Sequence, residues 1–363
     1  MTTGSIYIHV PFCAKKCPYC HFFVQPLQDV DLYIDGIQRE RNIQNIPFKK
    51  ILSIYLGGGT PSLLSLNQVE ELLKLFPDGA EEITIEANPD DITEEKLKGY
   101  LDLGINRLSI GVQSLKDNNL KFIERNHSAR KAKDAIELAY KKGFNNISID
   151  LMYDLPYQTF SDWKESIDEA KKLPITHLSI YNLVFEAGST YYKKRESLTH
   201  HVPDTESSLK MLEYAVMSLE ASGFKRYEIS AFAKDGNESI HNKGYWQARP
   251  FIGLGPSAFS YLDGRRFQNI CHLRKWYNEL LKGKIPTGFE EKLEHPNNLT
   301  ELLTIELRLF EGVDIRKFEN LPDETHKILQ ELESNGFLIQ NNFNFRLSEK
   351  GKLFYDTVAS EIL

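Results

Sequence analysis

Cys13, Cys17 and Cys20 stand close together in Cys13-Ala14-Lys15-Lys16-Cys17-Pro18-Tyr19-Cys20. A C-x3-C-x2-C loop offers three thiolates from one short segment. Thiolates are the usual protein ligands of iron–sulfur clusters, and a cubic [4Fe–4S] cluster has four irons. Three ligands leave one iron open, and an open iron can bind a substrate. An incomplete zinc site is the competing use, but structural zinc wants four ligands. The remaining cysteine, Cys271, lies far along the chain. A disulfide is the weaker reading, because disulfides are rare in the cytosol.

Other stretches carry side chains suited to a ligand. In Gly57-Gly58-Gly59-Thr60-Pro61, consecutive glycines let the backbone approach a ligand and expose its polar groups. The plainer reading is a tight turn. Glu86 closes an apolar run, Ile85-Glu86-Ala87-Asn88-Pro89, and a buried carboxylate needs a partner, which a cationic ligand supplies. The amide of Gln113 can both donate and accept. Arg125 can clamp a carboxylate in bidentate fashion, and Asp150 can accept from hydroxyls. Each of these alone also reads as a surface arginine or as a capping or salt-bridged acid.

These residues need elements to position them. Strand patterns fall at 6–10, 51–56, 82–87, 107–112, 147–152 and 177–183, and helical patterns lie between them at 31–45, 66–76, 93–103, 129–142 and 161–172. Thr93 ahead of Glu94-Glu95-Lys96 reads as an N-cap with acids in the first turn. Gly104 and Gly143 read as helix stops. Six strand–helix units predict a parallel sheet, either a partial (β/α)6 TIM-like barrel or an open doubly wound sheet. In both, functional groups belong at the C-terminal ends of the strands, where the cysteine loop, the glycine run, Glu86 and Gln113 fall, with Asp150 inside the fifth strand. A long helix is expected near 204–222. From Cys271 the pattern turns helical, at 274–281, 299–309, 314–318 and 323–335. A hairpin at 338–340 and 343–347 and a last helix from Glu349 follow. We therefore expect a core over 1–270 and a smaller, mainly helical, winged-helix-like domain over 271–363.

With 44 Lys plus Arg against 51 Asp plus Glu the net charge is −7, which argues against general nucleic-acid binding. No apolar run approaches membrane-spanning length. A strand pattern so near the start leaves no room for a targeting peptide, so a cytoplasmic protein is expected.

Taken together, these motifs resemble the radical S-adenosylmethionine (SAM) superfamily. Tyr19 fits its pattern of an aromatic just before the third cysteine. The whole chain is similar to the anaerobic coproporphyrinogen III oxidase-like family, and within it to the haem-chaperone branch, HemW. The oxidases carry a further cysteine two positions after the third; here that position is Phe22, in Cys20-His21-Phe22-Phe23. The chaperones carry H-N-x-x-Y-W; here it is His241-Asn242-Lys243-Gly244-Tyr245-Trp246. Tyr227-Glu228-Ile229-Ser230 and Gly253-Leu254-Gly255-Pro256-Ser257-Ala258 also look like that family.

The resemblance implies that Cys13, Cys17 and Cys20 hold a [4Fe–4S] cluster. It implies that an open iron chelates SAM, and that an electron breaks a C–S bond to give a deoxyadenosyl radical. Tyr7, Tyr19, Gly58, Gly59, Thr60, Glu86, Gln113, Arg125 and Asp150 match SAM-contact positions. Some equivalents in the oxidases contact a second SAM, so the number bound stays open. His241, Tyr245 and Trp246 match the expected haem site. An imidazole is a common axial haem ligand and aromatics offer a porphyrin a flat wall; the plainer reading is a structural turn with core aromatics, and Trp246 in particular reads as packing. The implied partners are haem, a haem-acceptor protein with which the chain associates peripherally, an electron donor, and a second copy in a homodimer. The alternative function is that of an oxygen-independent coproporphyrinogen III oxidase. A nucleic-acid regulator using the C-terminal segment rests on fold analogy alone.

Some positions depart from the family pattern. Asp154 replaces a glycine, Phe259 a histidine, Ala231 an asparagine and His21 an aspartate. Aspartate tolerates left-handed backbone, so the turn at 154 is expected to survive. Cys271 is expected to be a buried small apolar residue, its other use being haem attachment.

Overall fold

The structure is a computed structural model that describes residues 3–363. The first half alternates β1 (Thr3–Val10), α1 (Val30–Ile43), β2 (Lys50–Gly58), α2 (Leu66–Leu73), β3 (Glu82–Ala87), α3 (Glu94–Asp102), β4 (Arg107–Gln113), α4 (Asp117–Phe122), α5 (Ala129–Lys141), β5 (Ile147–Tyr153), α6 (Phe160–Ala170) and β6 (His177–Asn182). Local chemistry starts these helices. Thr93 and Ser128 accept from the backbone three residues on, and Ser65 with Gln68 and Thr159 with Asp162 form reciprocal capping boxes.

Strands β1 to β6 lie side by side in chain order, every pair parallel. A doubly wound sheet would reverse its order part-way across; a sequential order is that of a barrel, here partial. Side chains alternate across a strand. One face carries Ile6, Ile8, Ile54, Leu56, Ile85, Leu108, Ile110, Ile149 and Leu178, which share one core with Ile37 of α1, Val69 of α2, Ile136 of α5 and Trp163 of α6. The opposite face carries Ser5, Tyr7, His9, Ser53, Tyr55, Glu82, Thr84, Glu86, Arg107, Ser109, Ser148, Asp150, His177 and Ser179. The barrel is therefore apolar outside, under its helices, and polar inside.

Beyond β6 come α7 (Thr190–Lys193), α8 (Arg195–Leu198), α9 (Thr205–Glu220), β7 (Lys225–Arg226), β8 (Ala231–Ala233), α10 (Ile240–Trp246), β9 (Phe251–Leu254), β10 (Phe259–Leu262), β11 (Arg265–Asn269), α11 (Leu273–Leu281) and β12 (Thr287–Lys292). β9 adds to β1 in parallel and is followed by antiparallel β10, β11 and β12, while β8 and β7 extend the sheet beyond β6. Leu273, Trp276 and Leu280 of α11 pack in the large core.

The last segment comprises α12 (Asn297–Glu306), β13 (Val313–Asp314), α13 (Asp323–Ser334), β14 (Leu338–Asn341), β15 (Asn344–Leu347), α14 (Glu349–Leu353) and α15 (Tyr355–Ile362). Its helices and three-stranded antiparallel sheet enclose a second core that includes Leu303, Leu307, Leu329, Phe345 and Val358. This is the winged-helix-like arrangement expected, although 315–317 is a short 3-10 turn rather than a helix. Because α11 and β12 belong to the large sheet and its core, we propose that the two units divide after 292 rather than after 270.

Asp154 adopts φ 60° and accepts from Ser208 Oγ at 2.7 Å, so the left-handed turn survives without glycine. Cys271 corrects the expectation: it is exposed, its thiol donating to Ser257 Oγ at 3.4 Å, because the turn before α11 carries it to the surface.

Trp276 is fully buried, and its Nε1 donates to Glu40 Oε2 at 3.0 Å. Trp276→Ala is expected to destabilise the barrel by about 3–5 kcal/mol. A lowered guanidinium midpoint for unfolding of the large core checks this, and an unchanged midpoint would detach α11 from it.

Candidate functional site

The cysteine loop leaves β1 at Val10 and is pinned at its base. Cys13 N–H donates to Gln25 O at 2.9 Å, and Gln25 N–H to Pro11 O at 2.7 Å. Cys20 N–H donates to Cys17 O at 3.1 Å, making the turn between the second and third cysteines. All three thiols are free and half-buried. Burial pushes the Cys13 and Cys20 thiols up, so a metal binding here has to displace their protons. Among the described residues no three His, Cys, Asp or Glu groups converge on a single ion. A four-iron cubane does not ask for that; it asks for thiols distributed around one loop, one per iron. Three free thiols, with Arg125 Nη1 donating to Cys17 Sγ at 3.6 Å, fit such a cluster.

The glycine run is forced by packing against this loop. Gly58 has φ 107°, and a Cβ on it would meet the His9 ring at 2.6 Å. A Cβ on Gly59 would lie 2.6 Å from Phe12 O. Gly59 N–H instead donates to Val10 O at 2.8 Å. The next residue, Thr60, then comes to 3.3 Å from Cys13 Sγ through its Oγ1.

From there a chain of polar contacts crosses the strand ends. Asn88 Nδ2 donates to Thr60 Oγ1 at 3.3 Å. Arg125 Nη2 donates to Asn88 Oδ1 and to Gly111 O, each at 2.6 Å. Glu86 accepts from Tyr55 Oη at 2.8 Å and from Gly58 N–H at 3.1 Å. Burial raises the Glu86 carboxyl to about 7 and Asp150 to about 6, outweighing the hydrogen bonds that pull them down. His9 is neutral, lowered to about 4 by burial; its Nε2–H donates to Phe23 O at 3.1 Å, leaving Nδ1 to accept from Tyr7 Oη at 3.1 Å. Gln113 sits at φ 70°, on an irregularity in the β4–β5 ladder. Tyr19 packs with Leu120, Ile123, Met152 and Tyr191 in a small apolar cluster beside the loop.

The nine residues expected to face SAM thus gather around one end of the barrel and the loop above it, with Tyr7 and Asp150 deeper inside. Sequence reasoning missed Tyr55 and Asn88. Tyr55 could have been found by strand alternation, since it shares the face of Gly57 and lies two residues before it. Asn88 stood inside the motif that gave Glu86.

His241, Tyr245 and Trp246 lie elsewhere. Glu82 accepts from Ile240 N–H and His241 N–H, each at 2.9 Å, anchoring the start of α10 inside the barrel. His241 is 1% exposed. Its Nδ1 lies 2.9 Å from Ser53 Oγ and its Nε2 2.8 Å from Tyr245 Oη. Ser53 gives its own proton to Ser5 Oγ, so Nδ1–H donates and Nε2 accepts from tyrosine. Burial lowers His241 to about 3. Trp246 packs against the guanidinium of Arg308, 4.2 Å from the ring centre, a cation–π contact to the C-terminal unit. In this arrangement the motif is a joint between units with both imidazole nitrogens occupied; it offers no open axial ligand.

Comparison with known proteins gives the family. Residues 7–170 match the radical SAM superfamily model, and residues 293–354 match the HemN C-terminal domain. Heme chaperone HemW of Bacillus subtilis (strain 168) is 33% identical over 375 residues, covering 99% of both chains. The Lactococcus lactis protein of that name is 35% identical, covering 87% of this chain and 84% of its own. The chain belongs to the HemW family of the radical SAM superfamily. A zebrafish relative, radical S-adenosyl methionine domain-containing protein 1, mitochondrial (Danio rerio), is 31% identical and covers 99% of this chain and 87% of its own. Coproporphyrinogen III oxidase (HemN) from Escherichia coli, a radical SAM enzyme, shares the fold with a TM-score of 0.86 at 23% identity, over 99% and 90% of the two chains. Membership of the superfamily implies a [4Fe–4S] cluster and SAM. The superfamily match spans the cysteine loop, the glycine run and every strand end described above, and the HemN match begins where β12 ends. No helix among the described residues is long and apolar enough to cross a membrane.

The raised Glu86 carboxyl makes a signed prediction for the ligand-free chain. A carboxyl at about 7 when folded, against 4.5 ordinarily, contributes stability that is full below 4.5 and lost as pH rises through about 7. Glu86→Gln removes that loss. Urea midpoints are expected to shift in favour of the variant, relative to the native chain, as pH rises from 4.5 to 7. A pH-independent difference would contradict the buried, neutral acid.

Proposed function

We propose that the chain is a haem chaperone on a radical SAM scaffold, which holds haem and passes it to an acceptor haem protein. Cys13, Cys17 and Cys20 are the proposed cluster ligands. Tyr7, Tyr19, Gly58, Gly59, Thr60, Glu86, Gln113, Arg125 and Asp150 are the proposed SAM contacts. When bound, cluster and SAM supply reductive cleavage of a carbon–sulfur bond. The protein's part is to orient and to balance charge. Gly58 and Gly59 allow backbone and ligand to approach without a Cβ. Glu86 and Asp150, both raised by burial, can ionise fully against a sulfonium and an ammonium. Arg125 offsets thiolate charge at Cys17. An electron donor, a second copy of the chain and a cytoplasmic location complete the proposal.

The observation that carries this reading is Phe22. It is 52% exposed at the position where the oxidases of the resemblance have a further cysteine. The full-length similarity to proteins named Heme chaperone HemW supports the same choice. The oxidase reading rests on likeness of fold to coproporphyrinogen III oxidase.

Two measurements separate the readings. Haem titrated into the anaerobically reconstituted chain is expected to give a saturable Soret change at one haem per chain. Coproporphyrinogen III with SAM and reductant is expected to stay unconverted, and appearance of the decarboxylated product would replace the chaperone with the oxidase. His241→Ala is expected to lower Tm by several degrees, since leaving buried partners unpaired costs about 1–3 kcal/mol. Its haem affinity should remain within about threefold of native; abolished binding with an unchanged Tm would restore His241 as the ligand.

A further inference from the structure

Among the residues of strands β1 to β6, Arg107 is the one buried cation on the inward face, and it is 1% exposed. A buried charge is costly unless it is paired and hydrogen-bonded. Arg107 is poorly served on both counts. Among the described residues its Nε and Nη1 have no hydrogen-bond partner. The carboxylate it faces, Glu82, keeps Oε2 3.8 Å from Nε, beyond hydrogen-bond reach. Glu82 is also committed elsewhere, accepting from Ile240 N–H and His241 N–H at the start of α10. Thr84 Oγ1, on the register partner of Arg107 in β3, is likewise buried without a partner. Unpaired buried polar groups are rare in folded proteins, and each asks for a reason.

The strand register supplies one. After Thr84 with Arg107, the next inward pair of β3 and β4 is Glu86 with Ser109. Ser109 pairs with Ser148 of β5, and Asp150 is the next inward residue after Ser148. One such step along a strand is about 7 Å, within the reach of an arginine side chain. Arg107 thus stands beneath two carboxyls that belong to the strand-end site. Burial raises both of them, and Arg107 is among the groups that pull both back. Glu86 also faces Tyr7, Tyr55, Asp150, Tyr181 and Tyr245. The four phenols are kept neutral by burial, and Asp150 opposes the ionisation of Glu86. Arg125 acts on Asp150, but its nitrogens Nη1 and Nη2 are spent on Cys17, Asn88 and Gly111. On its other sides Arg107 faces His177, Tyr227 and His241, which burial keeps neutral. Arg107 is therefore the cation common to both acids that has nitrogens to spare.

Two neighbouring acids do not both ionise readily, because each charge opposes the other. A fixed cation beneath them offsets that repulsion. We propose that Arg107 is a positioning residue of the strand-end site: its charge holds Glu86 and Asp150 as carboxylates, so that a cationic ligand arriving from above meets two anions. The inference rests on the SAM reading of the site and adds to it a residue that touches no ligand.

The test compares SAM with S-adenosylhomocysteine, which keeps the amine and the carboxylate but lacks the sulfonium charge. Affinities of both for the full-length, anaerobically reconstituted chain are measured by equilibrium dialysis from about pH 5.5 to about pH 8.5. Their ratio isolates the response to the sulfonium. In the native chain the preference for SAM should grow with pH and level off above about 7, as Asp150 and then Glu86 ionise. Arg107→Gln should move the midpoint of that rise up by about one pH unit, lowering the preference several-fold below it. Arg107→Lys, which keeps the charge, should return the midpoint to within about half a unit of native. Glu82→Gln, which removes the counter-charge of Arg107, should move the midpoint down instead. General damage to the barrel would weaken both ligands at every pH and leave the midpoint in place. An unmoved midpoint in Arg107→Gln, or in Glu82→Gln where Arg107→Gln does not fold, would overturn the inference and leave the SAM site standing. No binding of SAM by the native chain would instead sink the SAM reading itself.

Discussion

The close approach of β2's end to the start of the cysteine loop is the contact on which the rest of the site depends. Ordinary van der Waals contact of a Cβ lies at 3.4–4 Å, whereas a Cβ at Gly59 would sit 2.6 Å from Phe12 O. Only a glycine lets its N–H close on Val10 O. That single hydrogen bond extends the β1–β2 pairing past the last ladder pair, Val10 with Gly58. It sets Thr60 against Cys13, and Asn88, Arg125 and Cys17 follow in one connected series. A side chain at 59 would push the loop off the barrel, and the thiols would lose their fixed relation to the strand ends.

The barrel's polar interior has a second constraint: it must bury titratable groups without isolated charge. It does so partly by pairing, as between Arg107 and Glu82, and partly by shifting its titratable groups toward their neutral forms. Glu86 and Asp150 are raised, and His9 and His241 lowered, in each case chiefly by burial. Desolvation disfavours whichever form is charged, so acids and bases shift in opposite directions toward the same neutral state. Such an interior responds to a cation by ionising its acids. That property favours a positively charged group beside Glu86, while Arg125 at the same strand ends suits an anionic one.

The same interior explains the H-N-x-x-Y-W segment. Residues four apart share a helix face, while the next residue turns away by about 100°. His241 and Tyr245 thus face Ser53, Tyr55 and Tyr7 inside the barrel, and Trp246 faces Arg308 outside it. Arg308 also bonds to buried Glu228 at 3.3 Å. One short helix fills one end of the barrel and ties the C-terminal unit to it.

The sequence by itself determined the alternation of strands and helices, the cysteine loop, the caps at Thr93 and the stops at Gly104 and Gly143, because each is a local pattern with a local cause. It also located the strand ends where Gly59, Glu86, Gln113 and Arg125 meet. Tertiary structure alone decided the rest. The order of strands, which distinguishes barrel from doubly wound sheet, is set by pairings between distant segments. The docking of α11 on the large core depends on Trp276 reaching Glu40, more than two hundred residues away. Whether a histidine is a ligand or a buried strut depends on what surrounds its two nitrogens. His241 stands in a motif that reads either way, and only packing against Ser53 inside the barrel makes it a joint, because its desolvation and that hydrogen bond come from strands remote in sequence.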